Sequence, residues 1–325
     1  MGQVTIKDIA EMAGVSKTIV SQYLNNNYKF MSAKTKDKIE KIIKETNYIP
    51  KSSARNLKFK KITVLNIIVA NLESSFSTQI VQQMDKRLNS EKIHVIISNS
   101  ADDEKKERLL IEQAISQDVD QVVIFPVSNN PEHYQLLKRN NIATVYVDRL
   151  PSEKGACVLL DNQEAITESV ASLVARGNKQ IAYLSLPLVE YLTPRVERLQ
   201  AFNQAMTSEE SVLPTVISGS EATLKKRLET LLKSKNYVPT AFIASNDTCL
   251  KILLRALKEY HYHGKDFDIV TVDGLELFDL FDDIYMTIEH PIAEICTKII
   301  DCLNNQTDNQ QVFRFSPIYY RRGEK

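Results

Sequence analysis

The sequence predicts a small all-α helix-turn-helix headpiece followed by an α/β body, in which two Rossmann-like lobes of parallel sheet have a ligand cleft between them. The first 46 residues carry short apolar stripes at helical spacing, and from Ile62 onward apolar runs alternate with amphipathic stretches. With 325 residues, the chain is also too long for one ordinary core. We therefore expect a headpiece at 1–49, a linker at 50–61, and a two-lobe domain at 62–325.

The opening stretch VTIKDIAEMAGVSKTIVSQYLNN has the pattern of two short helices joined by a turn. Thr5 and Asp8 form a T-x-x-D helix start, Gly14 is expected to end that helix, and Ser16 is expected to cap the next. A third helix is expected at about 32–46. The inward-facing apolar residues would be Ile6, Ile9, Ala10 and Ala13, then Ile19 or Val20 with Leu24, then Ile39, Ile42 and Ile43.

The charge of the headpiece points to a polyanionic partner. Residues 1–61 contain 13 Lys and Arg residues but only five Asp and Glu residues, although the whole chain is neutral. The polar start of the second helix can approach base edges and phosphates, whereas a plain three-helix bundle with solvated lysines would not need it. The residues expected to contact DNA are Thr5, Ser16, Lys17, Thr18, Ser21, Gln22 and Asn25.

The stretch VTIKDIAEMAGVSKTIVSQYLN, with SAKTKDKIEKIIKETNYIPKSSARNLK after it, resembles the headpiece of the LacI/GalR family of transcription regulators over residues 4–58. The resemblance implies a sequence-specific DNA-binding regulator, most commonly a repressor. Two positions depart from the family pattern, because Ile19 stands where Thr is usual and Gln22 stands where Arg is usual. Arg tends to read guanine and Gln adenine, so we expect the operator to differ at that base.

The segment KSSARNLKFKK resembles the hinge helix of the same family. Pro50 favours a helix start just beyond it. By resemblance, Ala54 and Leu57 would contact DNA, with Leu57 as the apolar wedge inserted into the minor groove at the operator centre. Without the resemblance, this segment would be interpreted as a basic linker.

The body resembles the family's two effector-binding lobes, which are similar to periplasmic sugar-binding proteins. One series of strand-like runs ends with IATVYVD, and a second contains QIAYLSL, TAFIAS and DIVTVDG. Strands that alternate with helices predict parallel sheets with right-handed crossovers. We expect the first lobe at about 62–160 plus 291–325, with the strand near 312–320 returning to it, and the second lobe at about 161–290.

The resemblance also implies a set of effector contacts. A sugar site needs planar polar groups for the hydroxyls and an apolar surface for the C–H bonds. Two of the polar residues also have structural interpretations, because Asn162 could cap a helix and Arg198 could join a surface ion pair. Arg149 and Arg198 would suit the carboxylate of a sugar acid or the phosphate of a sugar phosphate. Asp273 departs from the family pattern, and His290 replaces a usual Gln. The implied contacts are Phe76, Asp148, Arg149, Asn162, Arg198, Asn246, Asp247 and Asp273.

Other classes of protein find little support. The chain has no GxSxG, HExxH, P-loop or GxGxxG motif, so we expect no catalytic residue and no cofactor. Its four cysteines form no CxxC pair, and His261 with His263 is more typical of a solvated loop than of a metal site. No apolar run is long enough for a membrane span, and the start is unlike a signal peptide, so we expect a cytoplasmic protein. A cytosolic solute-binding protein and a sugar-modifying enzyme stay open as alternatives.

The expected mechanism is that of an allosteric homodimer. Two headpieces would bind the half-sites of a near-palindromic operator in double-stranded DNA. A small carbohydrate effector in the cleft would change how the lobes and hinge helices pack, and so couple the two binding events. The end of the chain, YYRRGEK, carries no leucine heptad of the kind seen in tetrameric relatives, which favours a dimer.

Overall fold

The computed structural model describes two compact units, Met1–Ile62 and Thr63–Lys325. The described residues are 4–24, 27–29, 31–46, 48, 62–89, 93–189, 192–207, 213–234, 239–262, 266–282, 284–305 and 311–323.

The first unit contains three helices, α1 (Ile6–Ala13), α2 (Lys17–Leu24) and α3 (Ala33–Thr46). A capping box starts α1, because the Asp8 carboxylate accepts from the Thr5 N–H at 2.7 Å and the Thr5 hydroxyl accepts from the Asp8 N–H at 3.4 Å. Gly14 ends the helix with a φ of +65°, a conformation that glycine adopts at little cost. The core of this unit consists of Ile9, Ala10, Ala13, Val20 and Ile39.

The second unit is a continuous series of strands and helices. Up to the first change of lobe its elements are β1 (Thr63–Val69), α4 (Ser75–Leu88), β2 (Ile93–Asn99), α5 (Glu104–Ser116), β3 (Gln121–Ile124), α6 (Pro131–Arg139), β4 (Ala143–Val147) and β5 (Ala156–Leu160). They are followed by α7 (Asn162–Ala175), β6 (Gln180–Ser185), α8 (Thr193–Thr207), β7 (Leu213–Ser218), α9 (Glu221–Lys233), β8 (Ala241–Ala244), α10 (Asp247–Glu259), β9 (Asp268–Val272), α11 (Leu275–Phe278) and β10 (Ile284–Glu289). The last elements are α12 (Ile292–Asn305), β11 (Gln311–Phe315) and β12 (Ile318–Arg321).

These strands form two six-stranded sheets with the same order. The first sheet runs β11-β5-β4-β3-β1-β2 and is parallel throughout, and the second runs β12-β10-β9-β8-β6-β7. Each strand of the first lobe therefore has an equivalent in the second, so that β4 corresponds to β9. Apolar side chains cover both faces of each sheet, which is typical of parallel strands.

The C-terminal segment divides between the two lobes. α12 packs against the core of the first lobe, and β11 pairs with β5 in parallel. After two more residues, however, β12 pairs antiparallel with β10 in the second sheet, where Tyr319 packs against the core of that lobe. The prediction that all of 291–325 lies in the first lobe is therefore wrong for Ile318–Arg321. Since β5 and β10 occupy equivalent places next to the sheet edges, a two-residue connection is enough to take the chain from one sheet to the other.

Candidate functional site

The first candidate site is the start of α2. Ser16 precedes the helix, and its hydroxyl accepts from the Ile19 N–H at 3.3 Å. Lys17 and Thr18 are exposed, Ser21 and Gln22 are half-buried, and Val20 between them faces the core. This helix therefore presents a polar surface at its N-terminal turn, where backbone N–H groups favour an anion such as a phosphate.

Other parts of the predicted DNA surface are already engaged or lie outside the described residues. The exposed Thr5 is committed to its capping box, in which its hydroxyl donates to Asp8 at 2.7 Å. On α3, Lys44 is paired with Glu40 at 2.8 Å and Lys41 with Glu45 at 3.8 Å, so the count of lysines overstates the free positive charge of that helix. The predicted contacts outside the described residues are Asn25, Ala54 and Leu57.

The second candidate site lies between the lobes of the second unit. Asp148 follows β4 and Asp273 follows β9, which is the equivalent strand. Both residues have positive φ, +68° and +60°, a conformation that is uncommon outside glycine and in which Asp and Asn are enriched. Unusual backbone at the carboxyl ends of two equivalent strands is typical of a ligand site in an open α/β sheet.

Asp273 is held by a histidine from the next strand connection. The His290 Nδ1 atom lies 2.8 Å from Asp273 Oδ1, and the His290 ring stacks on Phe76 of the first lobe with 3.9 Å between ring centroids. Burial tends to raise the pKa of Asp273, but the charge and hydrogen bond of His290, with a contribution from Arg198, hold it below its ordinary value. The Nε2 atom of His290 is buried and has no partner among the described residues.

This stacking changes the predicted role of Phe76. The family resemblance implies a wall or stacking surface for the effector, whereas Phe76 is buried and one face of its ring is covered by His290. The aromatic pair instead joins the two lobes, since Phe76 lies on α4 and His290 follows β10. A ligand that stacks on Phe76 would first have to displace the histidine.

A buried carboxylate supports the backbone beside Asp273. Glu289 accepts from the N–H groups of Gly274 at 3.0 Å and Leu275 at 2.8 Å, and also from the Thr287 hydroxyl. Burial, together with the nearby charge of Asp273, raises the pKa of Glu289 to about 7. A Cβ atom on Gly274 would lie 2.2 Å from Thr271 Cγ2, so only glycine fits at that position.

Arg198 and Asn162 are brought together in the second lobe. Arg198 Nε donates to Asn162 Oδ1 at 2.7 Å, and Arg198 Nη1 donates to the Ser245 carbonyl at 2.6 Å. The amide of Asn162 donates to Glu197 at 2.8 Å. Arg198 is only 5% exposed, so its charge is buried against protein partners. The alternative of a surface ion pair for Arg198 is wrong, and two of its nitrogens already donate to protein oxygens before any ligand binds.

Asn246 and Asp247 follow β8 next to Ser245, and both stabilise the start of α10. Asn246 is the cap and accepts from the Cys249 N–H at 3.0 Å. Asp247 accepts from Lys251 Nζ at 3.1 Å and from the Thr248 N–H at 2.7 Å. These contacts are those of a helix start.

Arg149 is fixed within the first lobe by a residue that the sequence did not single out. Both terminal nitrogens of Arg149 donate to Asp102 Oδ1 at 3.1 Å, and Nη1 also donates to the Pro126 carbonyl at 3.1 Å. Asp102 follows β2 and has a φ of +54°. Its signal in the sequence was the pair of aspartates three residues after the end of a strand, at the same sheet edge as Asp148.

One hydrogen bond joins the two lobes beside Arg149. The Leu150 N–H donates to the Thr193 hydroxyl at 3.0 Å, and Thr193 is the first residue of α8 in the second lobe. Arg195 lies in the same helical turn and was also missed by sequence reasoning. The structure therefore brings most of the predicted effector residues, together with Asp102, Arg195 and His290, to the facing ends of the two sheets.

The described residues contain no group of three or more His, Cys, Asp or Glu side chains that could hold a metal ion. The four cysteines are buried and unbonded to one another. His261 lies in a described turn, but His263 lies outside the described residues. Within the described ranges, no helix is both long and apolar enough to cross a bilayer.

Known proteins match this chain over nearly its whole length. Residues 5–51 match the family model of bacterial regulatory proteins of the lacI family, and residues 65–278 match that of a periplasmic binding protein domain. A probable HTH-type transcriptional regulator, EndR of Paenibacillus polymyxa, is 30% identical and the match covers 98% of this chain and 97% of that protein.

Two solved structures illustrate the shared fold. The Lac repressor dimer bound to operator and the anti-inducer ONPF matches with a TM-score of 0.76 and 21% identity, and covers 98% of each chain. The complex of the transcriptional regulator CelR with cellobiose matches with a TM-score of 0.67 and 19% identity, over 99% of this chain and 100% of that chain. The predicted fold class, a helical headpiece followed by two α/β lobes, is confirmed.

Proposed function

Because the chain belongs to the lacI family of bacterial regulatory proteins, and is therefore a DNA-binding transcriptional regulator and not an enzyme, we propose that a carbohydrate effector controls its affinity for an operator. The effector binds between the two lobes of the second unit. Repression is the commoner behaviour in the family and is the action proposed for this chain, whereas activation would depend on where the operator lies.

The observation that carries this proposal is the polar and aromatic lining of the facing sheet edges. Planar groups that suit sugar hydroxyls meet there from both lobes, namely Asp148 and Arg149 from the first and Asn162, Arg198 and Asp273 from the second. The solved CelR complex holds cellobiose on the same fold, which supports a carbohydrate over other small molecules.

On the DNA side, we assign the base and phosphate contacts to the exposed start of α2, with Lys17, Thr18, Ser21 and Gln22 as the residues in contact. Two copies of the chain bind a near-palindromic operator, as the Lac repressor dimer does with its own operator. The predicted hinge contacts, Ala54 and Leu57, belong to this proposal through family resemblance alone.

Effector and operator are coupled through the arrangement of the lobes. The contacts between the lobes include Phe76 with His290, Leu150 with Thr193, and the ion pair of Arg314 with Glu197 at 2.7 Å. An effector that alters these contacts shifts the population of the DNA-binding arrangement, and the operator must change effector affinity by the same factor.

The test begins with an operator selected from random double-stranded DNA, since the natural one need not be known. Fluorescence anisotropy of that operator then reports the response to a panel of neutral sugars, sugar acids and sugar phosphates. The informative variant is Asp148→Asn, because asparagine also tolerates positive φ and the substitution removes only the charge. We expect unchanged operator affinity and a loss of the effector response.

The matched control is Asp118→Asn, since Asp118 is exposed, has a φ of +52° and lies before β3 at the opposite edge of the sheet. This variant should leave the operator affinity and the effector response unchanged. If no member of the panel alters operator binding, or if Asp148→Asn responds as the unmodified protein does, the proposed effector site is wrong.

A further inference from the structure

Arg195 belongs to the second lobe and lies close to a contact with the first. It lies in the first turn of α8, two residues after Thr193. The Thr193 hydroxyl accepts from the N–H of Leu150, the residue that follows Arg149, at 3.0 Å. This bond between the lobes brings the side chains of Arg149 and Arg195 to the same part of the cleft.

The three arginines of the cleft differ in what their charges already contact. Arg198 is buried between Asn162 and the Ser245 carbonyl. Arg149 is paired with Asp102. Among the described residues, Arg195 makes a single side-chain hydrogen bond, from Nη1 to the Pro187 carbonyl at 3.0 Å, and has no carboxylate within ion-pair distance. Most of its donors are therefore available to a ligand.

The surroundings of Arg195 disfavour its unpaired charge. Burial lowers the pKa of Arg195, and the positive charge of Arg149 lowers it further, while the charges of Asp102 and Asp148 oppose this. Those two carboxylates already lie against Arg149, at 3.1 Å for Asp102 and 3.6 Å for Asp148. A partly buried guanidinium next to another one is unfavourable for folding, and an added anion would relieve it.

We propose that Arg195, acting with Arg149, binds an anionic group of the effector, a carboxylate or a phosphate. This inference rests on the proposed function and moves the anion contact of the second lobe from Arg198 to Arg195. A guanidinium matches the two oxygens of either group with parallel N–H donors, and each arginine comes from a different lobe. One anion can therefore bridge the lobes, so that binding of the effector favours the arrangement in which both arginines contact it.

The test compares Arg195→Gln with Arg227→Gln in the full-length chain. Arg227 lies in the same lobe, and its side chain also donates to one backbone carbonyl, that of Ser218 at 3.2 Å. The first measurement is thermal unfolding without ligand. The second repeats it with inorganic phosphate, D-gluconate, glucose 6-phosphate and D-glucose, each at constant ionic strength in sodium chloride.

We expect Arg195→Gln to unfold at the same or a higher temperature than the unmodified chain, because it removes an uncompensated charge. At least one of the three anions should stabilise the unmodified chain and the Arg227→Gln variant. Arg195→Gln should weaken that binding by about tenfold to a hundredfold, as expected for the loss of charge-assisted hydrogen bonds. Gluconate and glucose 6-phosphate then distinguish a carboxylate from a phosphate, and phosphate alone shows whether the sugar is needed.

Three results would overturn the inference: a clearly less stable Arg195→Gln variant, an anion response that survives in that variant, or no stabilisation by any of the anions. Failure of the proposed function has a different signature. If neutral glucose alters operator binding, the effector proposal stands and the anion contact is wrong. If an anion binds through Arg195 without changing operator affinity, the anion site stands and the regulatory proposal is wrong.

Discussion

Glu107 offers a sharp test of how burial and hydrogen bonding hold the first lobe together. Its side chain is fully buried on α5, where Oε2 accepts from the Val127 N–H at 2.8 Å and Oε1 accepts from the Tyr134 hydroxyl at 2.9 Å. Burial raises the pKa of Glu107 to about 7, although these hydrogen bonds and the charge of Arg149 oppose the rise. The substitution that tests this is Glu107→Gln, because the glutamine side chain has nearly the same shape as glutamate and carries no charge.

The raised pKa fixes the sign of the expected pH dependence. Between the ordinary value of 4.5 and about 7, the folded chain keeps a proton on Glu107 that the unfolded chain has released. Raising the pH through this window therefore lowers the free energy of unfolding. At about 1.4 kcal/mol for each unit of pKa, the loss amounts to about 3 kcal/mol. The glutamine variant should not show this loss.

Glutamine can also keep the local hydrogen bonds. Its carbonyl can accept from Val127, and its NH2 group can donate to the Tyr134 oxygen, whose hydroxyl lies 3.1 Å from the Ser128 carbonyl. A protonated Glu107 would make the same donor and acceptor contacts, so we expect the glutamine variant to be at least as stable as the unmodified chain at neutral pH. The loop it supports includes Pro126, whose carbonyl accepts from Arg149.

The assay is urea unfolding followed by far-ultraviolet circular dichroism at several values between about pH 5 and pH 8. Circular dichroism is suitable because the chain has no Trp. The control is Glu112→Gln on the same helix, where a half-exposed carboxylate pairs with Arg108 at 3.0 Å. Glu289 also titrates in this window, so the difference between variants is the informative quantity. Equal slopes for the unmodified chain and Glu107→Gln would refute the reasoning.

Three further substitutions test other parts of the structure. Gly274→Ala places a Cβ atom 2.2 Å from Thr271 Cγ2 and should lower the free energy of unfolding, measured by urea titration, by about 2 kcal/mol. Adding Thr271→Ser removes that methyl group and should restore most of the lost stability. A double variant that is no more stable than Gly274→Ala would contradict the steric cause. Arg198→Ala removes one partner of a buried polar network and should cost about 3 kcal/mol in the same assay, whereas an unchanged midpoint would show that the arginine serves only the ligand. Gln22→Arg should shift one position of the selected operator from adenine to guanine, and an unchanged selected sequence would remove Gln22 from the base contacts.

The sequence was sufficient for the architecture because each lobe repeats one strong pattern. Apolar runs such as Ile67–Val69 in β1 and the stripe of α10 follow from strand and helix periodicity alone. The location of β12 could not be predicted in this way. Its residues alternate between exposed and half-buried, which indicates an edge strand but does not identify the sheet to which it pairs.

The candidate residues of the cleft came from the family resemblance, and the sequence did not predict their contacts. Asp148 and Asp273 were named in this way, and in the structure each follows a buried strand at the same end of its sheet. Asp102 was missed because it is 47 residues away from Arg149 in the chain, and only the parallel order of β2 and β4 within one sheet brings them to the same edge. The stacking of His290 on Phe76 could not be predicted from the sequence either, because it depends on how the two lobes are placed relative to each other.

These contacts have a consequence for how a ligand can act. In the described structure the contacts between the lobes include the aromatic pair of Phe76 with His290, the hydrogen bond from Leu150 to Thr193, and the ion pair of Arg314 on β11 with Glu197 on α8 at 2.7 Å. An aromatic pair, a neutral hydrogen bond and a partly exposed ion pair each contribute only about 1 kcal/mol, so a ligand needs a few kcal/mol of binding energy to rearrange them. A ligand that binds two arrangements of the lobes with equal affinity would still not change their relative populations, however tightly it bound. An anion held by Arg149 from one lobe and Arg195 from the other meets this requirement, because it can be bound by both arginines only when the lobes hold them close together.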